Sequence, residues 1–92
     1  MDFYLVTYDI PDDRRRTRIA DLLEDYGARV QFSVFEVWLD ETTHREMMTR
    51  LKELLVSESD SVRLYHLCAV CQERVTVLGQ GKPPAPPDLL IV

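Results

Sequence analysis

Residues 3–10 make an almost unbroken apolar run of β-prone side chains from Phe3 to Ile10. Such a run predicts a strand in the middle of a sheet. Pro11 ends it, and Asp12 or Asp13 stands where a helix needs an acceptor for its first free N–H groups. Ile19, Leu22, Leu23 and Tyr26 then recur at i, i+3, i+4 and i+7, the signature of an amphipathic helix. Gly27 follows at a position suited to a left-handed helix stop. Residues 29–39 return to β character through Val30, Phe32, Val34, Phe35, Val37 and Trp38. Their alternation slips near Gln31 to Ser33, because Val34 and Phe35 are adjacent and both apolar. A broken strand or a short hairpin accounts for the slip.

Thr43 and Glu46 have capping-box spacing and predict the start of a second helix, with Met47, Met48, Leu51, Leu54 and Leu55 as its buried stripe. Residues 62–69 read as a further strand, and 74–78 as a short strand or a turn. Residues 79–88 hold four prolines and two glycines and suit neither a helix nor a central strand. They lead to Leu89, Leu90, Ile91 and Val92, which are expected to dock as an edge strand on their own sheet or a partner's.

The order strand, helix, hairpin, helix, strand predicts an α+β βαββαβ sandwich with both helices on one sheet face. One domain covers residues 1–78, and residues 79–92 form an extended segment with the terminal strand. The sheet's other face would lie bare, and 92 residues build too small a core to leave it so. A second copy covering that face is expected, hence a homodimer.

Composition narrows the function classes. A hydrophobic content of 46% argues for a folded chain and against disorder. No apolar run approaches the roughly 20 residues that span a bilayer, and the first ten residues carry no basic stretch. The expectation is a cytoplasmic protein without a membrane segment. A net charge of -5 argues against broad nucleic-acid binding. That average conceals a local feature. Residues 1–46 hold eleven acids and six bases, yet Arg14, Arg15, Arg16 and Arg18 cluster there, and nine of the eleven bases in the chain are arginine. Arginine's forked guanidinium suits bidentate contact with carboxylate or phosphate.

Three constellations carry chemistry. Asp9 ends an apolar strand, on the face shared by Phe3, Leu5 and Thr7 and opposite Tyr8. It either pairs with a nearby arginine or, if two copies meet there, joins its counterpart as a carboxylate pair for Mg²⁺. The run Arg14 to Arg18 lies in the first turns of a helix, where cations oppose the helix dipole. It is either a solvated face or an anion site for phosphate. Arg14 and Arg18 fall together on the wheel, while Arg15 lies over the apolar stripe, within reach of Asp9. His66, Cys68 and Cys71 form the third. A single CxxC lacks the second pair that structural zinc needs, although a dimer would supply it or His66 could join. A redox dithiol wants the motif at a helix start, and here it follows a strand. Reduced, structural thiols are expected, with no disulfide. His44 is expected at the surface or a helix boundary.

The run Tyr8-Asp9-Ile10, the stretch Asp12 to Arg16, Tyr26-Gly27 and the stretch Arg29 to Glu36 resemble the CRISPR-associated protein two family, the small dimeric partner of the CRISPR spacer integrase. The resemblance covers residues 3–40 closely and the rest by element order. It implies a ferredoxin-like fold, sheets packed face to face in a homodimer, and a C-terminal strand added to the other protomer. It also implies a part in spacer acquisition, in which the dimer bridges integrase dimers and holds double-stranded DNA. Family members described as metal-dependent endonucleases act on single-stranded RNA or double-stranded DNA. The matching positions are Tyr8 and Asp9 near the dyad as catalytic residues, with Asp9 as metal ligand. Arg16, Arg18 and Arg29 surround them, and Phe35 forms a wall. Three readings follow: a nucleic-acid-binding bridge, a Mg²⁺-dependent endonuclease on the same frame, or a ligand-sensing or structural ferredoxin-like module without nucleic acid.

Overall fold

The computed structural model describes residues 1–86, so the expected strand at 89–92 lies outside the described residues. Strand β1 spans Asp2–Asp9, helix α1 Asp13–Glu24, β2 Gly27–Gln31, β3 Val34–Leu39, helix α2 Glu41–Leu54, β4 Ser61–Leu67 and a short helix α3 Ala69–Glu73. The sheet has the order β2-β3-β1-β4, and every neighbouring pair is antiparallel. β3 is inserted between β1 and β2, and β1 between β3 and β4, so each strand–helix–strand unit is split by a strand of the other. This is the ferredoxin-like sandwich.

Alternation assigns the faces. Val6 and Tyr8 of β1 and Phe35, Val37 and Leu39 of β3 point toward Ile19, Leu22 and Leu23 of α1 and Met47 and Leu51 of α2. Burying each such large side chain contributes about 1.5–3 kcal/mol, so this one face holds most of the hydrophobic stabilisation. The opposite face carries Phe3, Leu5, Thr7 and Asp9 of β1, Val34, Glu36 and Trp38 of β3, and Arg63, Tyr65 and Leu67 of β4, aligned by register. Burial raises the Glu36 carboxyl above its ordinary value.

That opposite face is not wholly bare, contrary to expectation. Helix α3 packs on β1 and β4 at one end, where Phe3 is buried edge-on to Trp38 at 5.0 Å. Residues 82–85 return to line an apolar groove with Met1, Val30 and Trp38. The buried Gln72 of α3 donates from Nε2 to the Pro84 carbonyl at 2.5 Å and ties that segment down. Residues 74–78 form a turn and an irregular stretch without a strand. The five-residue α3 lacks room for a hydrophobic period, which is why it is unreadable from pattern.

Two local expectations are corrected. Helix α2 is capped by Asp40, not Thr43: Asp40 accepts from the Thr43 N–H at 2.7 Å and its own N–H donates to Thr43 Oγ1 at 2.9 Å, a reciprocal box one turn earlier. Those bonds hold the Asp40 carboxyl below its usual range. Gly27 does not adopt a left-handed conformation; among the described residues only Gly79 and Gly81 have positive φ. Its need is space, since a Cβ there would lie 2.0 Å from the Glu36 carbonyl oxygen and 2.7 Å from Val37 Cα.

Candidate nucleic-acid interface and metal position

The start of α1 governs the arginines. Asp12 accepts from the Arg15 N–H at 2.8 Å as N-cap, and Asp13 sits in the first turn, so both acids offset the cations' conflict with the helix dipole. One helix then sends four arginines to different places. Arg15 does not reach Asp9. It forms a forked pair with Asp60, Nε to Oδ2 at 2.5 Å and one terminal nitrogen to Oδ1 at 2.9 Å. The Asp60 side chain is 0% exposed and also accepts from the Val56 N–H and Ser59 Oγ, each at 3.0 Å. The Arg15 guanidinium and these bonds bring the Asp60 carboxyl down to about 2. Arg15 therefore ties α1 to the turn before β4.

Arg16 is half-buried. Its guanidinium donates to the Ile10 carbonyl at 2.9 Å and pairs with Asp13, fixing the chain just beyond Asp9. Arg14 and Arg18 are exposed and lie one turn apart, as the wheel requires. They line a groove between the helices with Asp12, Glu53 and Leu54, and among the described residues neither has an ion-pair partner. Of the four α1 arginines, these two are the ones left available to an anion.

Tyr8 is buried and points to the helix side, its hydroxyl donating to the Phe32 carbonyl at 3.4 Å. With Arg16, Thr17, Asp21, Arg29 and Phe32 it lines a second groove beside the β2–β3 hairpin. Arg29 is exposed, its guanidinium carbon 5.4 Å from the Phe35 ring centroid. Phe35 itself is fully buried against the helices. The resemblance gives it as a wall of the dimer or the site; the hairpin sets Val34 on the open face and turns Phe35 inward. It backs Arg29 and, at 6.2 Å, Tyr8.

Asp9 is exposed at the last position of β1, on the open-face side and opposite Ser61 of β4. It thus stands across the sheet from Tyr8, and the structure separates the two expected catalytic residues by face. Among the described residues no three His, Cys, Asp or Glu side chains group as metal ligands. At Asp9 one chain presents a single carboxylate, so a Mg²⁺ site there would need its other donors from outside the chain. A pair of carboxylates plus water and phosphate oxygens is a donor set that suits Mg²⁺.

Sequence reasoning missed Phe32 and Asp60. Phe32 is 77% exposed at the hairpin tip; the slipped alternation marked the turn, and an aromatic inside a turn was the signal for it. Asp60 had no signal, since nothing local announces a partner 45 positions from Arg15. His66 pairs with Asp2 at 3.7 Å and stacks on Tyr4 at 4.7 Å, with His44 on Tyr4 at 5.3 Å. Neither histidine joins the cysteines in a metal-binding group. No helix among the described residues is long and apolar enough to cross a membrane.

Comparison with known proteins agrees with this frame. The family described as "CRISPR associated protein Cas2" matches residues 1–75. The chain is similar to a CRISPR-associated endoribonuclease Cas2 from Synechocystis sp., 46% identical over 92 residues and covering all of both chains. It superposes on the crystal structure of the hypothetical protein TT1823 from Thermus thermophilus with a TM-score of 0.81 at 44% identity, covering 91% of this chain and 98% of that one. A chain of a partial Cas6-RT-Cas1–Cas2 complex gives a TM-score of 0.74 at 28% identity, covering 94% and 99%.

Proposed function

Because the chain belongs to the CRISPR-associated protein Cas2 family, we propose that it acts in spacer acquisition as a homodimer that grips nucleic-acid backbone and bridges integrase dimers. The observation that carries this reading is the division of labour on α1. Arg15 and Arg16 are locked to Asp60 and Ile10, which leaves Arg14 and Arg18 exposed as a pair on a rigid support. Contacts of that kind hold backbone without reading bases. Arg29 adds a further exposed guanidinium beside the hairpin. A similar chain in a Cas1–Cas2 complex supports an integrase partner. The open sheet face, with Leu5, Thr7, Val34 and the 45%-exposed Tyr65, supports pairing with a second copy.

A second activity, Mg²⁺-dependent phosphodiester cleavage of single-stranded RNA or double-stranded DNA, is supported by the Synechocystis relative's description as an endoribonuclease and by Asp9. The two Asp9 carboxylates of a dimer would hold the ion. Bound Mg²⁺ supplies Lewis-acid activation of water and phosphate. Arg16 fixes the backbone that carries Asp9, and Tyr8 anchors the hairpin through Phe32; neither needs to touch substrate for these roles.

Sedimentation of the purified chain with and without a labelled duplex, over a range of salt concentrations, tests the reading. A dimer whose DNA affinity falls steeply with salt is expected. A dimer with no salt-dependent binding, also when the integrase is present, returns the third reading, a structural module without nucleic acid.

A further inference from the structure

The CxxC motif has no part in the proposed function, and its surroundings differ from those its sequence implies. β4 ends at Leu67 and the chain turns directly into α3, so the motif opens a helix after all. Cys68 is the N-cap, with φ -66° and ψ 167°, and its Sγ accepts from the Cys71 N–H at 3.4 Å. This turn of backbone carries both thiols on one helical turn, with the Cys71 N–H set on the Cys68 sulfur. Both cysteines are free and exposed, whereas thiols that serve packing are buried and inert. Burial does not explain this pair.

We propose that Cys68 and Cys71 form an exchange-active dithiol, a modification site for low-molecular-weight disulfides such as oxidised glutathione. The helix is too short to lend a useful dipole; reactivity rests on two free, exposed thiols on one turn of chain, the Cys68 sulfur accepting from the Cys71 N–H. The partners are inequivalent. Hydrogen bonds from the Cys71 N–H and thiol hold Cys68 below the ordinary thiol value, and the bond to Cys68 pushes Cys71 up. Cys68 is therefore the attacking sulfur and Cys71 the resolving one. A metal reading is weaker within one chain, because among the described residues no third ligand joins them.

The chemistry balances in two exchanges. The Cys68 thiolate attacks one sulfur of the reagent's disulfide, forming a Cys68–glutathione bond and expelling one glutathione thiolate. Cys71 gives its proton to solvent, and its thiolate attacks Cys68 Sγ and expels the second glutathione. The protein loses two protons and two electrons, together two hydrogens, and the reagent is reduced to two thiols.

Intact mass of the full chain, quenched with acid after exposure to oxidised glutathione, tests this. The native chain is expected to lose two hydrogens and retain no adduct. Cys71→Ser is expected to hold one glutathione, and Cys68→Ser to react roughly fivefold more slowly than Cys71→Ser. Circular dichroism checks that both serine variants fold. Iodoacetamide labelling of the reduced native chain needs no variant and should reach Cys68 first. Two unreacted thiols in the native chain, a lasting glutathione adduct on it, or equal or reversed labelling would overturn the proposal.

Discussion

Removing Arg14 and Arg18 together separates a backbone grip from a decorated helix surface. Both side chains are exposed, and neither has an ion-pair partner among the described residues. Arg14→Ala/Arg18→Ala should therefore leave the thermal midpoint where it was. Its effect should appear in the salt dependence of DNA binding. Each phosphate neutralised adds about 0.9 to the slope of log affinity against log salt, so the double variant should lower that slope by about 1.8 for each chain in contact. Between about 50 and 200 mM salt, that difference makes the variant's loss of affinity roughly tenfold smaller than the native loss. With both chains of a dimer engaged, the slope should fall by about 3.6. Arg15→Ala is the control from the same turn. Its guanidinium belongs to Asp60, so it should lower the thermal midpoint and leave the slope unchanged. Fluorescence anisotropy of a labelled duplex, titrated at several salt concentrations, measures all three proteins. An unchanged slope in the double variant, or equal flattening in Arg15→Ala, would refute the assignment.

Other outcomes follow from single contacts. Gly27→Ala should destabilise by about 3 kcal/mol, because its Cβ would meet the β3 backbone, which cannot rotate away; at about 4–8 °C per kcal/mol, the drop in melting temperature is easily measured, and an unchanged midpoint would show the strands can spread. Asp9→Asn should abolish cleavage in Mg²⁺ while keeping DNA affinity and the dimer; persistent cleavage would place the activity elsewhere. Asp60 is depressed from 3.8 to about 2, so its ion pair contributes stability that is fully present above pH about 4 and lost as pH falls toward 2. Asp60→Asn should be less stable at neutral pH and show a shallower acid-unfolding profile across that window, as followed by circular dichroism; an unaltered profile would mean that other carboxylates govern it.

Periodic features were legible because they are local physics. The strand at 3–10, the stripe Ile19, Leu22, Leu23 and Tyr26, and the hairpin slip near Gln31 each follow from side chains meeting one surface at a fixed spacing. The split βαβ order and the shared layer of α1 and α2 follow from them, as does the exposed pairing of Arg14 with Arg18. The opposite placement of Asp9 and Tyr8 also needed only strand alternation. The family resemblance carried the expected roles of Tyr8, Phe35 and Arg29, and it could not say which way each one faces.

Tertiary structure decided what stands opposite each residue. Helical periodicity placed Arg15 over the apolar stripe, but only the fold brings Asp60 there in place of Asp9, and so separates a structural arginine from the two that remain available. Gly27 looked like a matter of dihedral freedom and proved to be one of space, because the β3 carbonyl that forbids a Cβ arrives from nine residues away. The cysteines read as inert while the chain around them read as strand. A five-residue helix, too short to leave a hydrophobic period, turns that same spacing into two exposed thiols on one turn.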